Sequence, residues 1–268
     1  MKSKLHRLSI LAVSLCALAP SSALADGWSD TSVGYRYGTQ FREPYVDNGA
    51  AISKSIYNLE YVGSYKYGVN FLNIDLLRSD HRDSNAEEIY AVYRNTIEYS
   101  KISNSKLDSS FFRDFGLTVG FDWNTKNDPG YTSKKQMLVA GPTIMLNVPG
   151  FVNISLLALN ESNDPKGANR YTYKTHPCLN VVWGIPLGST RVSFEGYADY
   201  ITSKGTNEYG GSTSDETHVD AKIMYGVDAK NSLRVGVGYE YWRNKFGNPS
   251  GVPGSKATTP MIRAEYHF

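Results

Sequence analysis

From about residue 30 to its end the chain alternates apolar and polar side chains at period two. Successive side chains of a strand point to opposite faces, so each such stretch has one greasy and one wet face. The clearest run is 114–124, where Phe115, Leu117, Val119, Phe121 and Trp123 alternate with Asp114, Gly116, Thr118, Gly120, Asp122 and Asn124. Residues 233–242 set Leu233, Val235, Val237, Tyr239 and Tyr241 against Arg234, Gly236, Gly238, Glu240 and Trp242. The last twelve residues set Pro260, Ile262, Ala264, Tyr266 and Phe268 against Met261, Arg263, Glu265 and His267. The pattern predicts twelve strands. Two are less regular. Residues 88–102 place Tyr93, Asn95, Ile97 and Tyr99 opposite Arg94, Thr96 and Glu98; residues 133–147 carry Pro142, which lacks a ladder donor and predicts an edge or a bulge. Residues 151–161 are apolar on almost every position, and 170–184 are expected to form the eighth strand, with Lys174, His176, Cys178 and Asn180 on its wet face.

The connections also alternate. Short turns follow the even-numbered strands, as at 67–68, 147–150 and 185–188, and longer polar loops follow the odd-numbered ones, as at 42–54, 79–87, 126–132, 162–169, 204–216 and 244–256. Only the link after strand four, 103–110, is longer than its class. A soluble β-sandwich would explain each strand by burying the greasy face. It would not explain loops that are long on one side only, nor aromatics near strand ends: Trp123, Tyr131, Trp183, Tyr200, Tyr241 and Phe268. Both fit an all-β, twelve-stranded antiparallel transmembrane β-barrel of the Gram-negative outer membrane, with short turns periplasmic and aromatic girdles at the interfaces.

Composition changes this picture little. Mean hydropathy is −0.39, which excludes a helical membrane protein but not a barrel, where only alternate residues meet lipid. Residues 1–25 read as a cleaved secretory signal: Lys2, Lys4 and Arg7 are basic, 8–19 are apolar, and Ala23-Leu24-Ala25 is a cleavage site. Residues 26–268 are then one barrel domain. Cleavage removes three of the 28 basic residues, leaving 25 against 26 acidic, so no basic excess points to nucleic acid. One cysteine, Cys178, remains, and alone it staples nothing.

The wet faces of a closed barrel line its lumen. Candidate solute-binding residues are therefore Phe71, Asn73, Asp75, Arg94, Glu98, Asp122, Glu195, Tyr197, Asp199, Arg234 and Trp242. Twelve strands leave a narrow, side-chain-lined bore. Charges of both signs suit uncharged or zwitterionic polar solutes, and the inward rings of Phe71, Tyr197 and Trp242 could stack a planar one for about 1–3 kcal/mol. Each charge has a plainer reading, as a partner for its neighbour. A barrel enzyme of lipase or protease type is the alternative, with His176 or His218 beside Ser155 or Ser193; a structural barrel with a closed lumen is another. No metal-ligand spacing and no cofactor motif occurs. Lipid and small solutes are the expected partners, and the chain is expected to work as a monomer.

Six stretches carry a resemblance: G-F-D-W-N-T-K-N-D at 120–128, V-P-G-F-V-N-I-S-L-L-A-L at 148–159, W-G-I-P-L-G at 183–188, F-E-G-Y-A-D-Y at 194–200, Y-E-Y-W-R-N-K-F-G at 239–247 and R-A-E-Y-H-F at 263–268. Together they resemble the nucleoside-specific channel-forming family of the Gram-negative outer membrane. The resemblance implies a twelve-stranded barrel and passive passage of nucleosides through a narrow channel with aromatic and ionisable groups.

Overall fold

The computed structural model describes residues 27–268; the proposed signal segment lies outside them. Twelve long strands are β1 (Ser29–Phe41), β2 (Ile52–Tyr65), β3 (Gly68–Ser79), β4 (Glu87–Glu98), β5 (Phe112–Asn127), β6 (Lys134–Leu146), β7 (Phe151–Asn163), β8 (His176–Pro186), β9 (Val192–Ile201), β10 (Glu216–Gly226), β11 (Leu233–Arg243) and β12 (Lys256–His267). Each pairs antiparallel with its neighbours in sequence, and β12 pairs with β1, Val33 opposite Tyr266 and Tyr37 opposite Ile262, which closes the barrel and leaves no edge. Phe268 N donates to Thr31 O at 3.0 Å, so the last residue is part of the seam.

The barrel is inverted relative to a soluble protein. Outward Leu138, Val237 and Ile262 are 64%, 59% and 61% exposed, whereas inward Asp122, Asp220 and Thr259 are 4%, 5% and 0%. Apolar side chains outside and polar ones inside suit a wall in lipid, where a closed barrel pairs its backbone groups between strands. Among the described residues no helix is long and apolar enough to cross a membrane.

Four sequence expectations need correction. Strand four stops at Glu98, and Tyr99–Ser103 form a helical turn held by Asp114, which accepts from Ser100 N at 3.2 Å and Ser100 Oγ at 2.5 Å. Pro142 marks no edge: β6 pairs on both sides, but its ladder to β7 skips Gly141 and Pro142, and the Gly141 backbone lies so close to Leu156 O that a Cβ there would stand 1.9 Å away. The eighth strand starts at His176, because Tyr171–Thr172 turn back to pair with Ser162 and Asn163; this leaves Lys174 exposed in a loop rather than in the lumen. Tyr131 is not in a girdle, since it turns toward the loops and hydrogen-bonds Glu208 and Tyr171. The doubly apolar β7 has its reason in an inward cluster: Leu157 and Leu159 pack with Met137, Val139 and Cys178.

Candidate functional site

Period two and antiparallel register bring the inward side chains of neighbouring strands into lateral rows. Along these rows long basic side chains lie flat on the wall and reach over one strand. Arg36 on β1 reaches Asp75 on β3 at 2.6 Å, and Asn58 on the strand between donates to the same carboxylate at 2.9 Å. Arg263 on β12 donates to both oxygens of Asp220 on β10, at 2.5 and 2.7 Å. It can do so because Gly238 on β11 lies under it: a Cβ there would stand 2.2 Å from Arg263 Nε. Lys222 sits between Glu195, at 3.3 Å, and Glu265, and Arg234 also pairs with Glu195. Arg94 pairs with Asp122, which accepts from Tyr90 Oη at 2.8 Å.

The central wall thus carries Arg36, Arg94, Lys222, Arg234 and Arg263, each already paired, against Glu60, Asp75, Asp122, Glu195, Asp199, Asp220, Glu240 and Glu265. Acids outnumber bases. Among the described residues no Lys, Arg or His nitrogen lies within 4.0 Å of Glu60 or Asp199. Asp199 accepts instead from Asn180 Nδ2 at 2.7 Å. Glu60 and Asp199 thus offer hydrogen-bond acceptors with no basic partner, and Glu240 Oε1 is also without a hydrogen bond.

At the long-loop end the lumen is capped. The loop after β11 turns inward through three φ-positive residues within four positions: Asn244 at 52°, Phe246 at 60° and Gly247 at 81°. Phe246 in this region is costly, and it persists only where its surroundings hold it. Lys245, 3% exposed, donates to Glu43 Oε1 and to Arg42 O, both at 3.1 Å, and its ammonium stands 4.2 Å from the Trp242 ring centre. Lys54 pairs with the same Glu43. Burial pushes the Glu43 carboxyl up, but Lys245 and Lys54 outweigh it and hold it well below the usual carboxylate range. Phe246 reaches over the mouth to Lys135 on β6, 5.7 Å from its ring centre. A second group closes the opposite side: Lys204, 2% exposed, lies 2.9 Å from Glu161 and 3.5 Å from Glu216, and Lys135 lies 2.9 Å from Glu161. Burial pulls the Lys204 ammonium down, while Glu161 and Glu216 more than offset it and keep it above its usual range.

All eleven candidate residues occupy inward positions of the register, but at different heights rather than in one pocket. Phe71 and Glu98 lie toward the short-turn end; Phe71 faces Val62 and Arg94, and Glu98 pairs with Lys101 at 3.0 Å. Asn73 accepts from Asn58 at 2.6 Å, beside Asp75. Tyr197 and Asp199 stand at mid-height with Asp122 and Arg94 along the wall, whereas Arg234, the second residue of β11, lies near the short-turn end and pairs there with Glu195. The Tyr197 ring meets His218 edge-on at 5.2 Å. Trp242 is at the cap. His218 is stacked on it at 3.8 Å, Lys245 closes over it, and two groups that near to one ring cannot share a face. Its Nε1 donates to Glu216 at 2.6 Å. Trp242 therefore braces the cap here and has no free face for a solute. Sequence reasoning passed over Tyr90, Glu60, Glu43, Lys54 and Lys245. The parity of β2 and β4 already marked Glu60 and Tyr90, whereas nothing local marked the cap residues.

The serine–histidine pairs are not assembled. Ser155 Oγ lies 2.8 Å from Thr143 Oγ1, Ser193 Oγ donates to Glu195 at 2.5 Å, and His176 Nδ1 is 2.8 Å from Lys174 O.

No family model matches the chain, and no curated protein matches it. Among solved structures it is similar to an outer-membrane channel of Pseudomonas putida F1, at 11% identity over 93% of this chain and 99% of that one, TM-score 0.51. It is also similar to the translocator domain of the autotransporter NalP from Neisseria meningitidis, at 14% identity over 92% and 90%, TM-score 0.50. A channel and a translocator on one architecture leave function to the site. At such identities the likeness is one of fold: the chain is built as outer-membrane barrels are built.

Proposed function

We propose that this chain is an outer-membrane channel that passes small polar solutes by diffusion, and that nucleosides are its solute class. The observation that carries it is the inner wall: polar and ionisable side chains run from the short-turn mouth up to the cap while the outer wall is apolar. The acid surplus on that wall disfavours anions and favours neutral or cationic solutes. Its paired bases act as fixtures of the wall. Glu60 and Asp199 offer acceptors to the hydroxyl groups of a sugar, and Phe71 and Tyr197 offer rings at two heights. Binding at several weak steps lets a solute enter and leave. The six stretches resembling the nucleoside-specific family support the same solute. Export behind a signal cleaved after Ala25, residence in the outer membrane and a monomeric barrel belong to this reading, which needs no cofactor.

The test is conductance of the refolded protein in a planar bilayer as adenosine or thymidine is added. Saturable block by nucleosides, with none by sugars or amino acids, is expected. Conductance indifferent to nucleosides removes the solute and leaves the channel; absence of conductance even after the cap is released favours the closed structural barrel.

A further inference from the structure

Neighbours across paired strands usually match in charge, because like charges directly opposite destabilise the pair. The outer wall breaks this rule at one place. Arg243, at the end of β11, is the direct partner of Lys256, at the start of β12. Both are exposed, and both face outward, since the inward positions beside them are Trp242 and Ala257. Neither makes an ion pair among the described residues. Asp215 feels the charge of Arg243 but lies beyond ion-pair distance, its oxygens accepting from Tyr200 Oη at 2.7 Å and Ser203 N at 2.8 Å.

The position of the two cations says what they face. They stand at the long-loop rim, on strands whose outward positions lower down are apolar: Val237 and Ile262 are among the most exposed apolar side chains of the barrel. Lys256 extends over the ring of Tyr241, 5.9 Å from its centre. An aromatic at the interface with basic groups just above it is the height of lipid headgroups, where lysine and arginine attract anionic lipid. A guanidinium and an ammonium held side by side, with no acid between them, complement a phosphate. We propose that Arg243 and Lys256 bind an anionic phosphate monoester of an outer-leaflet lipid headgroup, as distinct from a phosphodiester neutralised by its own choline, with the lipid's acyl chains on the apolar wall below. The bound phosphate removes the repulsion between the two cations.

This rests on the barrel lying in the outer membrane and not on what passes through it, so it is read by stability rather than conductance. The full chain is refolded into phosphatidylcholine liposomes, alone, with diphosphoryl lipid A, or with lipid A stripped of its phosphates, and melting is followed by gel mobility. The melting temperature is expected to rise with diphosphoryl lipid A only. The double variant R243Q/K256Q is expected to lose that rise while melting no lower than the parent in phosphatidylcholine; K256R is expected to keep it. A rise that survives in R243Q/K256Q overturns the site. A rise of the same size from inorganic phosphate in plain phosphatidylcholine overturns the lipid as its source.

Discussion

The ammonium of Lys245 lies 3.1 Å from the carboxylate of Glu43, joining two long loops separated by 202 positions in the chain. Lys54 pairs with the same oxygen of that carboxylate, and Lys245 in turn covers Trp242. One carboxylate thus ties the loop after β1 to the loop after β11 over the mouth of the barrel.

Removing that carboxylate should release the cap. E43Q leaves two buried ammonium groups without their counter-charge, and breaking a buried pair from one side costs about 3–5 kcal/mol. K245M leaves Glu43 paired with Lys54 and should cost less. Single-channel conductance is expected to rise in both variants, with more frequent open–closed transitions in E43Q, whose melting temperature should fall further.

The cap should respond to pH only at the extremes. A carboxylate held below its ordinary value stabilises the folded state above that value, about 4.3 for glutamate, and the contribution is lost as pH falls toward the lowered one. Lys204 has the opposite sign: its raised ammonium contributes below the ordinary lysine value of about 10.4 and loses the contribution as pH rises beyond it. Conductance should therefore be flat from about pH 5 to 9 and rise below about 4. A rise between about pH 5 and 9 would contradict this reading of the cap.

Stacking should be lost at Tyr197 and Phe71 but not at Trp242. Y197A or F71A is expected to weaken nucleoside block by about 1–3 kcal/mol, fivefold or more. Because both faces of Trp242 are covered, W242A is expected to raise basal conductance instead of weakening block. Titrating adenosine against all three variants separates these outcomes.

Gly238 provides the space in which Arg263 lies flat toward Asp220. G238A places a Cβ 2.2 Å from Arg263 Nε and should destabilise the barrel by about 1–3 kcal/mol through overpacking, measured by urea unfolding in liposomes. G130A, where nothing lies within 4 Å of the added Cβ, serves as the comparison.

What could be read in the sequence was what period two encodes. The faces of β5, β11 and β12, the strand number and the alternation of turns and loops are local properties, and the register follows once one face must meet lipid. Even the wall's glycines were visible, as Gly236 and Gly238 alternating with Val235, Val237 and Tyr239; that Gly238 makes room for Arg263 was not, because Arg263 is on another strand. The helical turn at Tyr99–Ser103 escaped because Tyr99 continues the parity of Tyr93 and Ile97. The cap escaped for a stronger reason. Glu43 and Lys245 sit in segments with no periodicity, Lys54 sits at the very start of β2, and their contact depends on barrel closure bringing the first and last loops together. Trp242 was placed correctly on the inner face, but parity cannot tell a ring that faces solute from one that braces a loop.

The central claim, a narrow polar channel closed by an electrostatic cap, is tested most directly by single-channel recording of the parent and K245M side by side in planar bilayers, with adenosine titrated into each. The account predicts a small parent conductance, a larger one in K245M, and saturable block by adenosine in both. Silence in both proteins, with the barrel shown to be folded, would contradict it.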